Sequence, residues 1–132
     1  MNRFATIHER DRTDFCIRYE ERTRVDPAIT EKDFWVCWLL GLIFSTPELG
    51  GNAVFKGGTS LSKVFGVINR FSEDVDLTYD IRELAADLLQ QGNPIPASSS
   101  QEKKISSAVR HRLPAWIETT VRPVIEAAMA KA

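Results

Sequence analysis

The stretch VFKGGTSLSKVFGVINRFSEDVDLTYD, residues 54–80, decides how the rest of the chain reads. A short apolar run ends in Lys56-Gly57-Gly58. Two hydroxyls follow, Thr59 and Ser60, and then Leu61, Val64, Phe65 and Ile68 recur at helical spacing. Asp74 and Asp76 alternate with Val75 and Leu77, the period of a half-buried strand. The segment thus predicts strand, tight turn, short helix, strand. In a strand, residues i and i+2 face the same way with Cα atoms about 6.6–7 Å apart. Asp74 and Asp76 then project together while Val75 and Leu77 point inward. Two adjacent carboxylates repel unless a cation lies between them or one is protonated. Mg²⁺ binds through one or two carboxylates plus substrate phosphates.

The glycines carry the other half of this chemistry. At a strand-to-helix junction they permit positive φ and close approach of backbone to a ligand. The first N–H groups of the helix lack intrahelical acceptors, and its dipole favours anions there. Gly57, Gly58, Thr59 and Ser60 are therefore candidate phosphate-binding residues, with Lys56 and Lys63 as candidate positive charges. Lys56 equally suits a sheet edge, and Lys63 a solvated surface. A glycine pair alone is usually only a turn, and Asp-x-Asp alone usually a solvated face. Their combination around one short helix is far more specific.

Working outward, residues Thr13 to Arg24 are weakly periodic and read as a first helix. The next helix is expected to begin with Thr30 as its N-cap and to run to about Ser45, stopped by Pro47 and Gly50-Gly51. It is apolar nearly all round and should lie in the core. Its apolar run, Phe34 to Phe44, is shorter than the ~20 residues a bilayer requires. After Asp80, IRELAADLLQQ reads as helix and GNPIPASSS, residues 92–100, as a linker. From Gln101 to Ala132 the pattern is helical, with Pro114 and Pro123 breaking it or opening new first turns. The expected fold class is α/β (α+β): a small mixed sheet with flanking helices, helix-rich, in a single domain over 1–132.

The 132 residues suffice for one real core. A formal net charge of −1 gives no global pull toward nucleic acid or anionic lipid. An RNA partner would need a local basic patch, for which Lys103, Lys104, Arg110 and Arg112 are candidates, a solvated helix face being the alternative. The two cysteines, Cys16 and Cys37, lack metal-ligand or CxxC spacing and read as reduced core residues of a cytoplasmic protein. His8 and His111 are isolated. Trp35, Trp38 and Trp116 read as core. The charged N-terminus has no signal-peptide pattern.

The string FKGGTSLSKVFGVINRFSEDVDLT resembles the AbiEii-type abortive-infection toxins of the DNA polymerase β-like nucleotidyltransferase superfamily. The likeness is close over residues 54–78 and looser in the flanking helices. It implies a nucleoside triphosphate with its phosphates against Gly57, Gly58, Thr59 and Ser60, beside the candidate charges Lys56 and Lys63; Arg70 and Ser72, just ahead of the aspartates, are candidates either to touch the nucleotide or to hold the loop. It implies Mg²⁺, or Mn²⁺, on Asp74 and Asp76 as catalytic and metal-binding residues. The implied reaction moves a nucleoside monophosphate onto an RNA such as a tRNA end, or onto a protein hydroxyl. The implied partner is an antitoxin encoded alongside.

That superfamily supplies a third carboxylate from a later strand. Glu118 in AWIETTV is the best candidate here, although its surroundings read better as helix surface. The chain therefore looks like an N-terminal portion of such a protein. Three functions stay open: a Mg²⁺-dependent transferase, a nucleotide- or metal-binding module acting through a partner, and a reduced chain without activity. An apolar face left exposed by a missing portion would favour self-association.

Overall fold

The computed structural model describes residues 2–68, 71, 74–89 and 95–131. A short turn of helix, α1 (Asn2–Ala5), precedes α2 (Glu9–Thr23). His8 caps α2 by accepting from the Arg10 N–H, and Arg24 ends it at φ 62°. This helix begins before the expected Thr13, because Glu9 and Asp11 suit a first turn. Next comes α3 (Pro27–Ser45). Its N-cap is Asp26, whose carboxylate accepts from the Ala28 N–H at 2.7 Å. The expected cap, Thr30, lies inside the helix and donates its hydroxyl to the Asp26 carbonyl. Asp followed by Pro is the stronger start, since Pro at the first position needs no N–H partner.

A short α4 (Pro47–Gly50) turns the chain into β1 (Ala53–Lys56). α5 (Gly57–Lys63) follows directly, and β2 (Asp76–Tyr79) returns. The strands pair antiparallel, with Ala53 opposite Tyr79, Phe55 opposite Leu77 and Lys56 opposite Asp76. α5 is shorter than its apolar spacing predicts. Gly66 takes φ +61°, and the Val67 N–H folds back onto the Leu61 carbonyl at 2.9 Å. That is a glycine-terminated helix end. Val64 and Phe65, read as an apolar helix face, are instead 65% and 67% exposed.

β2 leads into α6 (Ile81–Ala85), capped by Asp80, and a 3₁₀ turn (Ala86–Leu88). Residues 90–94, the first part of the expected linker among them, lie outside the described residues. Ser98 already caps α7 (Ser99–Trp116), so the linker is shorter than expected. A π-helical segment (Ile117–Val121) and α8 (Arg122–Met129) continue it. Pro114 does not break α7; it lies inside the helix, three residues before the π segment. Local π widening is one way to absorb a missing N–H. Pro123 sits in the first turn of α8, as expected.

The architecture is helix-rich α/β. Cys16 of α2 and Val36 and Ile43 of α3 are buried, with Ala5, Leu49, Leu84, Ala85 and Ile105. α3 is not enclosed on all sides: Ile29 and Phe44 are exposed, and much of the helix is half-buried. The sheet shows strict alternation. Ala53, Phe55, Leu77 and Tyr79 are half-buried, with Phe55 near Phe44 and Tyr79 packed on Trp116 at 4.3 Å between ring centroids. Val54, Lys56, Asp76 and Thr78 face outward. Among the described residues no helix is long and apolar enough to cross a membrane.

Candidate active site

The exposed sheet face meets the start of α5 at one place, the β1–α5 junction. Gly57 adopts φ +77° there. A Cβ on residue 57 would lie 2.0 Å from Asp76 Oδ2. Two independent constraints therefore demand glycine: the left-handed backbone and the carboxylate against its Cα. The pairing of β1 with β2 explains the second constraint. Lys56 stands opposite Asp76, so Asp76 lies beside the residue at which the chain turns from strand to helix.

Asp74 lies two residues ahead of the first ladder pair. Residues 74–79 nevertheless alternate exposed and half-buried, placing Asp74 and Asp76 on the solvent side and Val75 and Leu77 on the other. Neither carboxylate is ion-paired with a cationic side chain among the described residues. Two exposed hard oxygen donors beside a helix start suit Mg²⁺ with a phosphate ligand, which takes few protein ligands. No group of three metal-ligating side chains gathers among the described residues.

Thr59 and Ser60 are 1% and 5% exposed. The Thr59 hydroxyl donates to the main-chain carbonyl of Asp74 at 2.5 Å. The Ser60 hydroxyl donates to the Gly57 carbonyl at 3.0 Å. Both hydroxyls thus bind backbone in this structure, which leaves the first-turn N–H groups as the donors a helix start offers. Lys63 pairs with Asp33 of α3 and so ties α5 to α3. Lys56 is exposed on the same face as Asp76. Arg70, Ser72 and Glu73 lie outside the described residues.

Glu118, the candidate third carboxylate, sits in the π segment, exposed, with Arg122 at 2.8 Å. It is helix surface, as its surroundings suggested. On α7, Lys103, Lys104 and Arg110 are exposed. Arg112 is committed internally: it donates to the Leu84 carbonyl at 2.8 Å and pairs with Asp87. Its hydrogen bond holds the Asp87 carboxyl below the usual range. Asp80 is likewise held low by hydrogen bonds from Arg82 while it caps α6. Asp80 with Glu83 at the third helical position has the spacing of a capping box, a signal legible in the sequence. The Cys16 thiol is pushed up by burial and by Glu31. Burial also raises Cys37, against the opposing pull of Lys63.

Residues 38–132 match the family described as nucleotidyl transferase AbiEii toxin, type IV TA system. No curated protein and no solved structure shows significant similarity to the chain. The matched span holds β1, the glycine turn, α5, both aspartates and the long C-terminal helical run. With the match covering most of its length, the chain belongs to the AbiEii family of nucleotidyltransferase toxins of type IV toxin–antitoxin systems.

Proposed function

We propose that the β1–α5 junction and the Asp74/Asp76 pair form a nucleoside-triphosphate site that transfers a nucleoside monophosphate. The observation that carries this reading is the Gly57 turn at φ +77°, with Asp76 Oδ2 where a side chain would otherwise stand. Backbone N–H groups at the start of α5 receive the phosphates. Lys56, on the same face as Asp76, adds positive charge. Asp74 and Asp76 hold Mg²⁺ or Mn²⁺, and the exposed Lys103, Lys104 and Arg110 meet the backbone of an RNA acceptor. A divalent ion held by the two aspartates would supply positive charge against that developing on the α-phosphate. The acceptor hydroxyl, of RNA or protein, attacks the α-phosphorus; its P–O bond forms as the bond to pyrophosphate breaks, and the hydroxyl proton is released. The product is a nucleotide-capped acceptor, and the antitoxin of the same system opposes the outcome.

The test is incubation of the chain with each labelled triphosphate, Mg²⁺ and bulk RNA, beside an Asp74→Ala/Asp76→Ala double variant. Label transfer by the native chain and not by the variant is expected. A second reading is favoured by Glu118 being helix surface paired with Arg122, which leaves the aspartates without an identified third carboxylate: a module that binds nucleotide without transferring it. Mg²⁺-dependent triphosphate binding with no label transfer would select it. Absence of both would remove both readings.

A further inference from the structure

Among the described residues, Thr59 and Cys16 are the two largest side chains that the fold encloses completely. A buried hydroxyl is held by a hydrogen bond, and a helical threonine ordinarily donates to the carbonyl four residues back. In the first turn of α5 that residue belongs to β1. The hydroxyl instead crosses to the Asp74 carbonyl, fifteen residues along the chain. Ser60, its neighbour, bonds only within the turn. The ladder between β1 and β2 starts at Asp76 and leaves Asp74 ahead of it. The same turn of α5 therefore meets both aspartates. At Asp76 it does so through the missing side chain of Gly57, and at Asp74 through the Thr59 hydroxyl.

We infer that Thr59 is a positioning residue that pins the main chain at Asp74, so that the two carboxylates are presented together on one face. It touches neither phosphate nor metal. It acts on the site by fixing where the approach to β2 lies relative to the glycine turn. This rests on the reading of Asp74 and Asp76 as divalent-cation ligands.

The experiment measures Mn²⁺ binding by titration calorimetry and thermal unfolding by circular dichroism. It compares the native chain with Thr59→Ser, Thr59→Val and Asp74→Asn/Asp76→Asn. Loss of one neutral hydrogen bond should weaken Mn²⁺ binding in Thr59→Val by roughly five- to tenfold. Thr59→Ser, which keeps the donor, should bind within about twofold of native. A packing effect would follow the methyl group, weakening Mn²⁺ binding and lowering the unfolding midpoint in Thr59→Ser more than in Thr59→Val, and that order overturns the pinning role. If Thr59→Val does not fold, Thr59→Ala replaces it, since alanine also lacks the donor. Native-like Mn²⁺ affinity in the donor-free variant, with binding lost in the double aspartate variant, overturns the pinning role and leaves the metal site standing. A native chain that binds no Mn²⁺ overturns the metal reading and this inference with it.

Discussion

Gly57 shows how one residue couples backbone and site. Its φ of +77° costs an L-residue about 1–2 kcal/mol. A Cβ there would also collide with Asp76 Oδ2 at 2.0 Å, displacing the carboxylate or the turn. Gly57→Ala should therefore lower stability by at least ~1–2 kcal/mol in urea denaturation. It should also abolish Mg²⁺-dependent triphosphate binding. An alanine variant of native stability would show that the turn relaxes without cost. The glycine pair is conspicuous in the sequence, but its contact with Asp76 is not. That contact exists only because the register sets Lys56 opposite Asp76.

At the scale of elements, charged pairs fasten the helices to one another. Lys63 ties α5 to α3. Arg112 ties α7 to α6 through the Leu84 carbonyl and to Asp87 of the following 3₁₀ turn. Asp87 is held low chiefly by the hydrogen bond from Arg112, so its folded value lies below its ordinary 3.8. A depressed carboxyl stabilises the fold fully above its ordinary value and ceases to do so as pH falls through the lowered one. Asp87→Asn should thus be less stable than the native chain at pH 7. The difference should shrink progressively below pH ~3.8 and vanish in stronger acid. Thermal melts of both chains between neutral and acid pH check this. A difference that stays constant with pH would assign the effect to packing. Both side chains are exposed to solvent, so added salt should reduce the effect.

For the whole molecule, the joint between the sheet and the C-terminal helical run matters most. Leu77 and Tyr79 of β2, Leu113 and Trp116 of α7 and Ile117 and Val121 of the π segment line an apolar cavity of about 380 Å³. Tyr79 packs on Trp116 across it, the rings inclined at 37°. The two strands alone make too small a sheet to be stable, and this packing supplies their other side. Trp116→Ala should cost about 2–3 kcal/mol, less than the ~3–5 of a fully buried tryptophan because Trp116 is half-buried. Urea unfolding measures it; a loss under ~1 kcal/mol would mean that the helical run is only loosely coupled to the sheet.

The sequence by itself determined the local features. Spacing and turn chemistry placed the strand–glycine–helix–strand order, the apolar helix before it and the helical run after it, because these depend on near neighbours. The motif in residues 54–78 was enough to indicate the family. Caps misled where two candidates competed: Asp26-Pro27 outranks Thr30, and Gly66 ends α5 although the apolar spacing continues. Both signals were present and were outweighed by periodicity. Tertiary structure alone decided which donors turn inward. Thr59, Ser60 and Lys63 each read as a ligand for phosphate, yet packing commits them to Asp74, Gly57 and Asp33. A hydroxyl or ammonium has the same chemistry wherever it stands, and only the fold decides which acceptor comes within its reach.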